Sequence, residues 1–311
     1  MNSNKIILLL GTLAAVCLTA CDNDDDPAVV NRDGAVRFTS DIAAPPPDTR
    51  ATIDADGNSL WEKGDPVGIY MLKHGSYDVT GGAGNVPYTA DKAGATTGFT
   101  ATGTDIYYPL DETARVDFLA YHPYNAAVTD FVYPVDLEQQ TPQTAIDLMT
   151  AHADKQGAGY AKADGAAGTA VNFAFAHRLV KLVMNVTKDA SVPGAIAGVS
   201  INGMNTTASY DLTTGALTAA ANTADIAPCT VADRTRYEAI LLPLEALDDT
   251  HTVTFTTTEG EHYKWTMSKQ IASLDAGTIY TYDVNVTRHA VTANGSIDKW
   301  TVGTTGTGTA E

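Results

Sequence analysis

The sequence reads as an all-β protein built from two β-sandwich domains in tandem. Three observations lead there. Apolar and polar residues alternate with a period of two in many short segments. The 3.6-residue periodicity of amphipathic helices is nearly absent. Turn-forming Gly, Pro, Asn and Asp break the chain at intervals of about 8–15 residues, a spacing that suits sandwiches and leaves no room for crossover helices.

The chain opens with a leader. Lys5 precedes an apolar run from Ile6 to Val16, which is too short to span a bilayer and matches a secretory signal peptide over residues 1–20. Leu18-Thr19-Ala20-Cys21 resembles the lipobox of bacterial lipoproteins, which implies acylation of Cys21 and a membrane anchor worth about 0.8 kcal/mol per buried CH₂. Residues 21–34 are polar and acidic and read as a solvated tether. The run Asp22-Asn23-Asp24-Asp25-Asp26 also resembles the surface-export signal of some Gram-negative anaerobes.

Val36, Phe38, Ser40 and Ile42 then alternate with Arg37, Thr39 and Asp41, which predicts a strand with one apolar face. Pro45-Pro46-Pro47 cannot continue into a sheet interior, and extended structure restarts at Thr49-Arg50-Ala51-Thr52-Ile53. Strands are expected at 67–72, 77–79, 86–88, 105–110, 116–124 and 131–135, with a short turn or helix at 144–151. Residues 154–170 are rich in Gly and Ala and poor in large apolar side chains, which places a domain boundary there, between sandwiches at 35–160 and 165–311. The second half carries strand patterns at 171–175, 179–186, 196–203, 208–212, 237–243, 251–258, 261–268, 279–288 and 296–302.

Composition narrows the function. The 37 acidic residues outnumber the 19 Lys and Arg, so no basic stripe is available to displace counterions from nucleic acid. Of three cysteines, Cys17 leaves with the leader and Cys21 is expected to be acylated. Cys229 then has no disulfide partner, and it reads as an inert buried thiol in a loop. No HExxH pair, P-loop, GxSxG elbow or zinc-spaced Cys/His cluster occurs. His177, between Phe175 and Leu179, reads as a hydrogen-bonded structural residue. Asp54-Ala55-Asp56-Gly57-Asn58 begins like a calcium loop, but Ser59 and Asp65 stand where such a loop needs Gly and Glu, and the segment is ordinary hairpin chemistry. No metal, cofactor or catalytic residue is assigned.

Several segments together resemble the fimbrillin family, in particular the Mfa-like fimbrillins of type V pili. They are Thr49-Arg50-Ala51-Thr52, Trp61-Glu62-Lys63-Gly64-Asp65-Pro66-Val67-Gly68-Ile69-Tyr70 and Phe118-Leu119-Ala120-Tyr121-His122-Pro123-Tyr124. Asp147-Leu148-Met149-Thr150-Ala151 and Phe173-Ala174-Phe175-Ala176-His177-Arg178-Leu179-Val180-Lys181-Leu182 follow. Leu274-Asp275-Ala276-Gly277-Thr278-Ile279-Tyr280-Thr281-Tyr282 and Ile297-Asp298-Lys299-Trp300 complete the series. The resemblance implies transthyretin-like sandwiches and a non-enzymatic pilus subunit or accessory lipoprotein at the outer membrane.

It also implies a mechanism. A trypsin-like protease would cut between Arg50 and Ala51, releasing the lipid together with the strand containing Val36, Phe38 and Ile42. A strand from another pilus subunit would then take its place. The alternative for this segment is a permanent first strand, with Arg50 in a hinge; Arg32 and Arg37 are other possible cut sites. Residues 301–311 contain a single large apolar residue, Val302, and make a poor donor strand, which points to a tip or accessory position. A different class of function, a surface glycan-binding lipoprotein of an outer-membrane uptake system, would need exposed aromatic platforms, for which Trp61, Trp265 and Trp300 are the candidates.

Overall fold

The computed structural model describes residues 34–41, 60–220, 222–232 and 234–300. Cys21, Ile42, Arg50, Ala51, the Asp54–Asn58 motif and residues 301–311 lie outside them. Residues 34–300 belong to one compact unit.

The first part of the chain forms β1 (Phe38–Asp41), β2 (Pro66–Lys73), β3 (Val86–Ala90), β4 (Thr96–Ala101), β5 (Val116–His122), β6 (Val132–Asp136), β7 (Met149–Ala153), β8 (Val171–Phe173) and β9 (Ala176–His177). The second part forms β10 (Val180–Lys188), β11 (Ile196–Asn205), β12 (Thr207–Asp211), β13 (Leu217–Ala219), β14 (Thr223–Ile226), β15 (Cys229–Ala232), β16 (Arg236–Leu241), β17 (Thr252–Thr257), β18 (His262–Thr266), β19 (Thr278–Val286) and β20 (Val291–Lys299). The predicted all-β architecture is therefore observed. Among the described residues the single α-helix, α1 (Lys162–Ala166), is one short turn inside the Gly/Ala-rich stretch.

Eight strands form one sheet in the order β8-β1-β4-β3-β2-β5-β7-β9. In a flat sheet β1 and β5 would lie about 19 Å apart, at about 4.8 Å per strand. Yet the rings of Phe38 on β1 and Phe118 on β5 have centroids 5.2 Å apart. The sheet therefore folds over onto itself, and the fold encloses the first core, which includes Val36, Phe38, Trp61, Ile69, Tyr88, Phe118, Val171 and Phe173. In the second sandwich the sheet β15-β16-β10-β19-β20 faces the sheet β14-β11-β17-β18. Leu182, Met184, Tyr280 and Tyr282 from the first of these meet Ile201, Val253, Phe255 and Trp265 from the second.

A third apolar cluster joins the halves. Tyr70, Leu72, Leu119 and Tyr121, on the outer faces of β2 and β5, meet Leu179, Val183, Ile240 and Ile279 from the second half. β2 and β5 are thus buried on both faces, which explains the nearly unbroken apolar runs Ile69-Tyr70-Met71-Leu72 and Phe118-Leu119-Ala120-Tyr121. A small sheet, β13-β12-β6, also crosses between the halves, with β6 pairing antiparallel to β12 over five residues. Gln140 is buried beside it. Its Nε2 donates to the Leu137 and Ile240 carbonyls, and its Oε1 accepts the Ile240 N–H.

Several local expectations shift. Residues 77–79 make only a bridge between Val79 and Leu72, in a loop whose Gly75, Gly81 and Gly82 take left-handed φ values. Residues 105–110 are not a regular strand, but Ile106 and Tyr108 are buried and clasp Gly34 and Val36. At 144–151, a short 3₁₀ turn (Gln143–Ala145) leads directly into β7. Strands β8 and β9 were expected in a second domain opening at 165, but both belong to the first sheet, and the chain leaves the first core only after Phe175. Cys229 is half-buried at the start of β15, so it is neither in a loop nor fully buried. His177 is buried as expected, with Nδ1 2.8 Å from Asp147 Oδ1 and its ring stacked on Trp300 at 3.8 Å.

Candidate functional site

The candidate site is the slot in which the first described strand lies. Its sequence alternates strictly, so Val36, Phe38 and Ser40 point into the first core while Arg37 is exposed. β1 is paired on both sides. It runs antiparallel to β4, with Phe38 opposite Phe99 and Ser40 opposite Thr97. It runs parallel to β8, with Phe38 opposite Val171 and Ser40 opposite Phe173. Just before β1, the Val36 N–H donates to the Ile106 carbonyl at 2.8 Å, and the Tyr108 N–H donates to the Gly34 carbonyl at 3.1 Å. The Arg37 carbonyl accepts from the Val171 N–H at 2.8 Å. The segment 34–41 is therefore an inner member of its sheet and not a flap on its edge.

The side chains set its register. Phe38 is 2% exposed. Its ring meets Tyr88 and Phe118 edge-on, each at 5.2 Å, and stacks on Phe173 at 5.5 Å. Aromatic pairs in these geometries contribute about 0.5–1.5 kcal/mol beyond area burial. Tyr88 also accepts the Ile106 N–H through its hydroxyl at 2.8 Å, so one residue lines the Phe38 pocket and steadies the partner of Val36. Burial pushes the Tyr88 phenol above its ordinary pKa, despite that hydrogen bond. Ser40 is fully buried, and its Oγ accepts from Trp61 Nε1 at 3.4 Å. Trp61 in turn is boxed by Phe99, Phe175 and His122, with centroids 5.1–5.4 Å away. The slot thus presents a medium site for Val36, a large aromatic site for Phe38 and a small polar one for Ser40. On the outer face, Arg37 Nη2 donates to the Gly168 carbonyl at 2.5 Å and Thr39 Oγ1 donates to Asn172 Oδ1 at 3.1 Å.

This arrangement is suited to recognition and not to bond chemistry. Its floor is mainly apolar, and its polar contacts come from backbone ladders and a few side-chain hydrogen bonds. Among the described residues no cluster of His, Cys, Asp and Glu could hold a metal ion. The tryptophans that a glycan platform would require are all inside: Trp61 and Trp265 are each 2% exposed and Trp300 is 3% exposed. The most elaborate buried ionic group lies elsewhere, where Glu238 takes Lys181 Nζ at 2.9 Å and Arg236 Nε at 2.8 Å. Burial opposes ionisation of Glu238, but Lys181 and Arg236 outweigh it and hold the carboxyl below its ordinary range. That group ties β10 to its neighbour β16 and is structural.

Of the residues singled out in the sequence, Val36 and Phe38 are buried in the slot, whereas Cys21, Ile42, Arg50 and Ala51 lie outside the described residues. The slot's two walls were the part that sequence reasoning missed. β4 was not anticipated, although Thr97, Phe99 and Ala101 alternate there. Its Gly98 and its run of threonines dilute the apolar signal. β8 was anticipated as a strand, but not as a partner of β1.

Comparison with known proteins agrees with a protein of this architecture. Residues 49–300 match the model of the fimbrillin-like family. A candidate fimbrium subunit of Bacteroides uniformis, Fim1C, is 35% identical over 325 residues, an alignment covering 99% of each chain. Among solved structures, a candidate cell adhesion protein from Bacteroides uniformis superposes with a TM-score of 0.71 at 31% identity, covering 88% of this chain and 99% of that one. A candidate cell adhesion protein from Bacteroides ovatus shares the fold, with a TM-score of 0.63 at 20% identity over 86% and 97% of the two chains. By the extent of the family match and by its full-length relative, the chain belongs to the fimbrillin-like family of fimbrial subunits.

Proposed function

We propose that this fimbrial subunit reaches the outer membrane as a lipoprotein anchored through Cys21, and that it joins a pilus when its first strand is exchanged for a strand of another subunit. The 1–20 leader and the acidic 21–34 tether would serve export and reach. A trypsin-like protease would cut between Arg50 and Ala51, leaving β1 held in the slot without a covalent link to the rest of the fold. The displaced strand would carry away Val36, Phe38 and Ile42, and the incoming one would re-form both ladders.

The observation that carries this reading is that β1 is paired with β4 on one side and β8 on the other. Removing a strand from such a place opens a groove with a hydrogen-bonding edge on each wall and the aromatic floor of Tyr88, Phe118 and Phe173 between them. That groove cannot stay empty, because its backbone groups and rings would face water. It therefore demands a replacement strand, and an occupied slot keeps precursors from pairing prematurely.

The test is N-terminal sequencing of surface-exposed material from cells carrying the natural chain or Arg50→Ala. Strand exchange predicts a mature species beginning at Ala51, and an Arg50→Ala chain that retains its lipidated N-terminus and stays out of polymer. An Arg50→Ala chain that enters pili normally would defeat the mechanism.

A further inference from the structure

An open cleft of about 360 Å³ lies in the second sandwich, between β18 and the tight turn that joins β19 to β20. Its walls are mainly polar. His262 and Lys264 come from β18 and are exposed on the same face, two residues apart. Arg288 and His289 come from the tip of the β19–β20 turn, which is closed by Thr287 and Ala290: the Thr287 N–H donates to the Ala290 carbonyl at 2.9 Å, and the Ala290 N–H donates to Thr287 Oγ1 at 3.1 Å. Glu261 is the one carboxylate in the lining. The cleft shares no residue with the strand slot.

Charge sets the chemistry of this cleft. The chain carries a formal charge of −18. Among the described residues, neither Lys264 nor Arg288 is in an ion pair. His262 holds one ring nitrogen against Thr256 Oγ1 at 3.1 Å, which fixes the ring and leaves the other nitrogen for a ligand. Two permanent cations and two imidazoles thus line one concave site on a chain of strongly negative net charge. Such an arrangement concentrates and orients an anionic group. The volume suits a small ligand, and the polar walls suit one rich in hydroxyls.

We propose that this cleft binds the acidic group of a carboxylated or sulfated saccharide, giving the subunit a ligand site separate from its assembly slot. Lys264 and Arg288 would take the anionic oxygens, and the imidazoles would supply N–H donors to neighbouring hydroxyls. The proposal does not depend on strand exchange. A chain that fails to polymerise yet binds the saccharide would overturn the assembly mechanism and leave this site standing.

The experiment is titration of the full chain at low salt with a sulfated heparin disaccharide, sialyllactose, lactose and inorganic sulfate, followed by calorimetry. At least one acidic saccharide is expected to bind saturably, more tightly than lactose and more tightly than inorganic sulfate. Which of the two binds identifies the acidic group as sulfate or carboxylate. The double variant Lys264→Ser/Arg288→Ser should lose affinity by about tenfold or more, as expected when charge-assisted hydrogen bonds are removed. Glu261→Gln should gain affinity, which tests the site with a variant that adds binding instead of removing it. Binding should also weaken as salt rises. No saturable binding by either acidic saccharide would overturn the proposal. So would lactose or bare sulfate binding as tightly, or affinities unchanged in both variants.

Discussion

Phe38→Ala is the most direct probe of the slot, and it is best made in an Arg50→Ala background, which keeps the strand attached under the proposed processing. Phe38 is 2% exposed and touches three rings, which leaves almost no route for the site to collapse around alanine. Truncating a buried phenylalanine of this kind costs about 3–5 kcal/mol, combining lost transfer energy and the cavity left behind. At about 2–4 °C per kcal/mol for a chain of this size, the melting temperature should fall by roughly 6–20 °C. The controls are Arg37→Ala and Thr39→Ala on the same strand. Their side chains point outward and make single hydrogen bonds, so each should cost about 1 kcal/mol or less. The assay is thermal or guanidinium unfolding followed by tryptophan fluorescence, since Trp61 lies in the same core. A Phe38→Ala loss no larger than that of the controls would refute the claim that this strand fills the first core, and with it the basis for strand exchange.

Ser40→Leu should destabilise the uncut chain by about 1–3 kcal/mol by overpacking a fully buried site beside Trp61, and unfolding curves would show it. Gln140→Leu should cost about 1–3 kcal/mol in the same measurement, because the Ile240 N–H and two carbonyls would be buried without partners. Glu238→Gln should cost about 3–5 kcal/mol at neutral pH by removing the buried carboxylate that pairs with both Lys181 and Arg236. The carboxyl of Glu238 titrates lower in the folded chain than its ordinary 4.5. Its contribution is therefore complete above that value and disappears as pH falls through the folded-state value. Melting temperatures measured from neutral to acid pH should converge for the natural and Glu238→Gln chains below about pH 4.5, and a constant gap would contradict the assignment.

What could be read from the sequence depended on whether a signal was local. The first strand was legible because its alternation is complete within a few residues, and burial of Val36 and Phe38 follows from that pattern. β2 and β5 were legible as strands, but not as elements covered on both sides, because a continuous apolar run does not say what lies over each face. The slot's walls were harder. β4 offers Thr97, Phe99 and Ala101 on one face, a weak apolar stripe interrupted by Gly98. β8 was visible at Val171–Phe175, yet its partner lies more than 130 residues earlier, and nothing in Val171-Asn172-Phe173 specifies a parallel neighbour. The Gly/Ala-rich stretch marked a change of texture in the chain and not the edge of the first core, because Val171, Phe173 and Phe175 return to that core after it. The anionic-ligand cleft was invisible for the same reason: His262 and Lys264 are separated in sequence from Arg288 and His289, and only the β18 and β19–β20 packing joins them.

The strand pairing of β6 with β12, together with the clamp made by Gln140, has a mechanical consequence. Neither sandwich can swing on a hinge relative to the other without tearing that ladder and wetting the cluster around Tyr70, Leu119 and Ile240. The halves should melt in one cooperative event, and a subunit under tension in a filament should behave as a stiff rod with no elastic joint between them.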